Sequence, residues 1–232
     1  MGNIFRKTPR EGLTVEEVKK ICKGIAGQDR TKQMLCVVEE ELNQGFDFIK
    51  RHPDMITFLG SARTKEDDKF YKAAQSLSAR LVKEFNVAIT TGGGPGIMEA
   101  GNRGAKEAGG ESLGMTIQLP SEQNTNPYVT ESLDFHFFFT RKVFMCYSAK
   151  AYVFFPGGLG TLNEFFEIMT LLQTKKMMPT PIFLYGSGYW KPLEEYIHED
   201  LEETHYVDDS DDHLYLITDS EDEIVNTLKR LI

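Results

Sequence analysis

Short apolar runs alternate along this chain with longer stretches in which apolar residues recur every three or four positions. The runs Met55-Ile56-Thr57-Phe58-Leu59, Val87-Ala88-Ile89-Thr90-Thr91, Ala151-Tyr152-Val153-Phe154-Phe155 and Pro181-Ile182-Phe183-Leu184-Tyr185 read as strands. Ser112 to Leu119, Leu133 to Phe139 and Leu214 to Thr218 join them. Helical periodicity fills the gaps: Asp68 to Phe85, Ile97 to Ala108, Thr140 to Lys150, Thr161 to Thr174, Tyr189 to Thr204, and Glu221 onward. Strands that are apolar throughout, each followed by a helix, belong to a parallel sheet covered on both faces. The expected fold is therefore α/β, a doubly wound Rossmann-like parallel sheet with helices on both faces. Ligands of such sheets sit beyond the carboxyl ends of the strands, where the strand order reverses.

Before the first strand the texture differs. Val15, Val18, Ile21, Cys22 and Ile25, then Met34, Leu35, Val38 and Leu42, keep helical spacing in a polar background. Residues 1–50 are expected to form an N-terminal helical extension packing on the core or on a second subunit. Residues 51–232 are expected to form a single Rossmann-like nucleotide-binding domain, because no internal linker divides them.

Two of the strands end in glycine clusters that open a helix: Gly92-Gly93-Gly94-Pro95-Gly96 and Pro156-Gly157-Gly158-Leu159-Gly160-Thr161. A glycine turn before a helix leaves backbone N–H groups uncovered at the positive end of the helix dipole, a setting suited to phosphate. A tight turn that merely needs glycine is the plainer explanation of one such cluster; two at strand ends favour an anion site. Neither is a dinucleotide fingerprint, since Ile97 stands where a third glycine belongs, and neither ends as a P-loop does. Thr161-Leu162-Asn163-Glu164 admits two readings, a capping box that closes the helix start or a carboxylate held beside the phosphate's cargo. Spacing alone leaves both open.

Composition narrows the partners. The net charge is −9, but 14 acidic residues and no Lys or Arg lie between Glu194 and Glu223, leaving 21 acidic against 26 basic residues elsewhere. The acidity belongs to one solvated stretch, and the overall sign argues against a nucleic acid polymer. No apolar run reaches the ~18 residues of a membrane span. The opening Met1-Gly2-Asn3-Ile4-Phe5-Arg6 leads into no apolar signal core, and Arg6 stands where a myristoylation motif needs Ser or Thr. Three cysteines, Cys22, Cys36 and Cys146, show no CxxC spacing, and a reducing cytoplasm is the expected home. The five histidines include no i,i+4 pair, so no metal site is expected. Phe135, Phe137, Phe138 and Phe139 are expected in the core rather than as a stacking surface.

At the glycine loops the chain resembles the LONELY GUY family of cytokinin riboside 5′-monophosphate phosphoribohydrolases, whose members are also labelled possible lysine decarboxylases. The resemblance rests on Gly92-Gly93-Gly94-Pro95-Gly96-Ile97-Met98-Glu99, on the Arg141-Lys142 pair, and on Pro156 to Glu164, which reads PGGxGTxxE. It runs from about Met55 to Trp190, and the chain is more like the longer bacterial members than the compact plant ones. Asn163, Pro95 and Glu99 depart from the plant-type pattern.

The resemblance implies hydrolysis of the N-glycosidic bond of a nucleoside 5′-monophosphate, of the AMP or cytokinin riboside type, to free base and ribose 5-phosphate. It implies no cofactor and a homodimer or higher homo-oligomer. It assigns Arg141 and Glu164 as the catalytic pair. Gly93, Gly94, Gly96, Lys142, Gly157, Gly158, Gly160 and Thr161 are expected to bind substrate, with Glu122 as an acidic substrate contact. Nothing marks a lysine for a pyridoxal phosphate Schiff base, so lysine decarboxylation is not expected. The rival expectation is a protein that uses the same loops to hold a nucleotide, or a phosphorylated pterin-like cofactor, without cleaving it.

Overall fold

The computed structural model describes residues 13–118, 125–207 and 214–231. Its centre is β1 (Met55–Leu59), buried along its whole length. Met55 and Leu59 face one core with Phe144, Phe154, Phe165 and Trp190. Ile56 and Phe58 face the other, with Tyr71, Leu77, Leu81 and Ile97. Two covered faces explain why the strand reads as an unbroken apolar run.

From β1 the chain builds outward through α3 (Lys69–Phe85), β2 (Ala88–Thr91), α4 (Ile97–Glu107), β3 (Ser112–Ile117) and β4 (Glu131–Phe135). It then crosses through α5 (Phe138–Tyr147) to β5 (Ala149–Phe154), on the opposite side of β1. After α6 (Leu159–Gln173) come β6 (Ile182–Tyr185), α7 (Ser187–Tyr196), β7 (Tyr215–Thr218) and α8 (Glu221–Leu231). The seven strands lie in the order β4-β3-β2-β1-β5-β6-β7, and every pair is parallel. Strand order therefore reverses between β1 and β5, and the loops leaving them diverge to form a crevice. This is the doubly wound architecture that the alternation predicts.

The N-terminal helices α1 (Val15–Ala26) and α2 (Arg30–Arg51) pack against each other, and α2 packs on α5 and β4. Thr14 and Glu17 close the start of α1 with a reciprocal capping box. Cys22 and Cys36 are joined by a disulfide between the two helices. Only Cys146 keeps a free thiol, a correction to the expectation of three reduced cysteines.

Two expected elements are corrected. The run Leu133 to Phe139 is not one strand: β4 ends at Phe135, and Phe137 is the N-cap of α5. Phe135 is fully buried, whereas Phe138 and Phe139 are 54% and 48% exposed. A run of phenylalanines carries no period, so it cannot mark the point where a strand passes into a helix. The helix expected from Tyr189 to Thr204 is α7 followed by a π-helical turn, Ile197–Glu202. Pro192 lies inside α7 and brings no N–H to its ladder.

Candidate active site

The second glycine loop joins β5 to α6, and its backbone is stitched to the strand beside it. Phe155 N–H donates to the Leu59 carbonyl at 2.8 Å and Ser61 N–H to the Pro156 carbonyl at 3.0 Å. The Tyr189 hydroxyl donates to the Gly157 carbonyl at 2.6 Å. The N-cap is Gly158, which has no side chain to close the helix. The first backbone bond of α6 runs from Leu162 N–H to the Gly158 carbonyl at 3.1 Å. The amides of Leu159, Gly160 and Thr161 precede it and have no intrahelical partner.

Glycine is required for different reasons within this loop. A methyl on Gly157 would lie 2.1 Å from Thr161 Oγ1, so packing forbids it. At Gly158 and Gly160 a methyl would meet nothing within 4 Å, and neither backbone lies in the left-handed region. The fold does not ask for glycine there. A ligand approaching the backbone closely would.

The helix starts two residues before the expected Thr161, and this removes the capping-box reading of Glu164. Thr161 is not an N-cap, and no capping box forms. Glu164 is 8% exposed, and its Oε2 is buried with no hydrogen-bond partner. Burial holds its carboxyl above the usual glutamate range, Arg141 and Lys142 pull it back, and Glu167 adds to the rise. A buried carboxylate oxygen without a partner is costly and calls for an explanation other than helix stability.

Arg141 comes to Glu164 from α5. Its Nε donates to the Met115 carbonyl at 2.7 Å, and it makes no ion pair among the described residues. A methyl on Gly92 would lie 2.5 Å from its guanidinium, so the first glycine loop gives way where the arginine passes. Burial lowers the arginine's pKa and the nearby Glu164 charge opposes that fall. Lys142 pairs with Glu167, one turn beyond Glu164. Cys146 completes the group, with ligand atoms of Cys146, Glu164 and Glu167 within 4.8 Å of one another. Burial pushes its thiol up to about 12, so it stays protonated. The protein's own cation, Lys142, already neutralises Glu167 in this cluster.

The first glycine loop is held by a buried polar network. Asn126 Nδ2 donates to the carbonyls of Gly93 at 3.1 Å and Gly94 at 2.9 Å. It also donates to Asn102 Oδ1, which accepts the Thr91 hydroxyl as well. Gly93 and Gly96 have φ of +73° and +70°. A methyl on Gly96 would lie 2.3 Å from the Ser61 carbonyl oxygen. That same carbonyl accepts Ile97 N–H at 3.0 Å, so Ser61 ties both glycine loops together. Gly93, Gly94 and Gly96 therefore shape the crevice through the backbone. Glu122 lies outside the described residues.

Several members of this constellation escape sequence reading: the Met115 carbonyl, Asn102, Asn126, Glu167 and Tyr189. Asn102 carries a faint signal, because asparagine disfavours a helix interior and needs a reason to be there. Glu167 lies three residues after Glu164 on one helix face.

Residues 98–228 match a family described as "Possible lysine decarboxylase". The chain is 25% identical over 150 residues to a cytokinin riboside 5′-monophosphate phosphoribohydrolase of Rhodococcoides fascians, covering 62% of this chain and 74% of that protein. It is 26% identical over 193 residues to a pyrimidine/purine nucleotide 5′-monophosphate nucleosidase of Escherichia coli K12, covering 77% of this chain but only 40% of that longer protein. Among solved structures, a molybdenum cofactor binding protein from Rippkaea orientalis shares the fold, with a TM-score of 0.55 at 21% identity over 78% of this chain and 97% of that one. The family match spans more than half of the chain and includes both Arg141 and Glu164, and the chain belongs to that family.

Proposed function

We propose that this member of the possible lysine decarboxylase family hydrolyses the N-glycosidic bond of a nucleoside 5′-monophosphate, of the AMP or cytokinin riboside monophosphate type. The observation that carries the reading is Glu164: a buried carboxylate with an unpartnered oxygen, one turn behind a helix start with free amides. The 5′-phosphate docks on the amides of Leu159, Gly160 and Thr161, where the dipole of α6 favours it. Held by that unreactive end, the ribose presents its anomeric carbon to Glu164.

Cleavage breaks the bond from C1′ to the base nitrogen, with positive charge building on the sugar and negative charge on the departing base. The Glu164 carboxylate stabilises the cation and accepts a proton from the attacking water. The hydroxide adds to C1′, the departing base takes up a proton from solvent, and Glu164 returns its own to solvent, giving free base and ribose 5-phosphate. A carboxylate whose pKa lies above the usual range is a better proton acceptor. Arg141 stabilises the developing negative charge or neutralises the phosphate, and Lys142 supports the phosphate from the same helix.

The working unit in this reading is a homodimer or higher homo-oligomer. In its support, the two helices bearing Arg141 and Glu164 leave Phe138, Phe139, Leu159 and Phe166 exposed. No helix among the described residues is long and apolar enough to cross a membrane. Light scattering behind a sizing column checks the assembly. The reaction is tested by incubating the protein with AMP and separately with adenosine, then separating free adenine by chromatography. Adenine from AMP but hardly from adenosine is the expected result. AMP bound tightly without adenine release moves the reading to a nucleotide carrier, and equal turnover of adenosine removes the phosphate cradle.

A further inference from the structure

We propose that Glu41, on the N-terminal helix α2, is a positioning residue for Arg141. Glu41 is an acidic side chain only 4% exposed, far from the crevice in sequence. Its Oε1 accepts the His136 amide at 2.5 Å and its Oε2 accepts the Thr140 hydroxyl at 2.5 Å. Both partners lie at the start of α5, and Thr140 directly precedes Arg141.

The start of α5 needs such a partner. Its N-cap is Phe137, which has no side-chain cap, and its first turn holds no acid. Arg141 and Lys142 then place two cations near the positive end of the helix dipole, where they are disfavoured. A carboxylate brought in from α2 supplies the missing negative charge and holds the amide before the N-cap and the Thr140 hydroxyl. Burying a carboxylate is costly unless its oxygens are satisfied, and here both are.

The two helices are also locked in register. Four residues after Glu41, Gly45 faces Phe144, four residues after Thr140. A methyl on Gly45 would lie 2.1 Å from the Phe144 ring, so only glycine admits this approach. Phe46 meets the same ring edge-on at a centroid distance of 5.2 Å. One helical turn on α2 therefore matches one turn on α5, polar at Glu41–Thr140 and apolar at Gly45–Phe144. With α2 fixing the backbone and the Met115 carbonyl fixing Nε, the guanidinium is held from two sides. The N-terminal extension is thereby part of the machinery that aims Arg141.

This inference rests on the reaction proposed above, so its test carries one kinetic and one non-kinetic reading. Glu41→Gln removes the charge at nearly constant shape, Thr140→Val removes the hydroxyl from the other side, and Thr140→Ser restores it. With AMP as substrate, and below the melting temperature of every variant, E41Q and T140V are expected to lower kcat about 10- to 100-fold with KM little changed. T140S is expected to stay within about threefold of the parent protein, a margin of under 1 kcal/mol in barrier. Hydrogen exchange read by mass spectrometry across residues 136–142 is expected to quicken in E41Q and T140V alone. Lowered melting temperature with kcat unchanged in E41Q and T140V would reduce Glu41 to a purely structural role. If the parent protein releases no adenine, the proposed reaction fails, and unchanged exchange across the start of α5 then overturns the positioning role independently.

Discussion

Exchanging Glu164 for Gln alters one atom type and separates two effects of opposite sign. The first is on stability. Glu164 Oε2 is buried without a partner, and leaving such a group unsatisfied costs about 1–3 kcal/mol, more when it is charged. Neutralising it should raise stability by about 1 kcal/mol, or roughly 2–4 °C in melting temperature for a chain of this size. The wild-type carboxyl has a folded pKa above its unfolded value, chiefly through burial. Between those two values the native state keeps a proton that the unfolded chain has released, so stability falls as pH rises through that window. E164Q should lose that slope and melt higher than wild type above the window.

The second effect is on turnover. A positioned general base contributes roughly 10²–10⁴ in rate, or about 3–5 kcal/mol of barrier. Adenine release from AMP, measured beside melting curves at several pH values, reads both effects on one preparation. Activity within a few-fold of wild type refutes the catalytic role. A melting temperature lowered by several degrees refutes the electrostatic argument, because losing a helix-closing carboxylate costs about 0.5–2 kcal/mol rather than gaining any.

Other perturbations separate the parts of the crevice. Arg141→Gln removes a cation that pulls the Glu164 carboxyl down, so the acid limb of kcat/KM should move to higher pH while kcat falls roughly 10²–10³-fold; an unmoved limb would detach the two residues. Gly160→Ala places a methyl in open space and should raise stability by up to about 1 kcal/mol, yet isothermal titration should show AMP binding at least about tenfold weaker, a change worth about 1.4 kcal/mol. Gly96→Ala does the reverse, forcing a side chain at φ +70° against the Ser61 carbonyl, and should cost more than about 1 kcal/mol in a denaturant melt. Asn102→Ala strips the partners of Thr91, Ser112 and Asn126 and should cost about 1–3 kcal/mol, read in the same melt.

The sheet was legible for a physical reason. Strands covered on both faces cannot afford polar alternation, so β1 reads directly as Met55 to Leu59 and is found with those bounds. The start of α6 was misread by two residues because glycine is a poor helix former, which pushes the expected start past Gly160 to Thr161. That small difference matters, since a start at Thr161 keeps open a capping box that the helix does not form, and Glu164 Oε2 is unpartnered. The contacts that aim Arg141 were not legible at all. Glu41 and Thr140 are 99 positions apart, and neither periodicity nor motif spacing reaches across that distance. The network of Asn102 and Asn126 is hidden similarly, being made of common polar residues whose meaning comes only from shared burial.

The bond between Cys22 and Cys36 spans the turn from α1 to α2, where Gly27 takes a φ of +59°. Cutting the backbone in that turn would therefore sever the polypeptide without releasing its leading piece. On an electrophoresis gel the nicked protein would migrate as one species until a reductant was added, and only then shed a fragment ending near Gly27. The remainder would still carry Glu41 and the whole of the sheet, ready to be assayed in its own right.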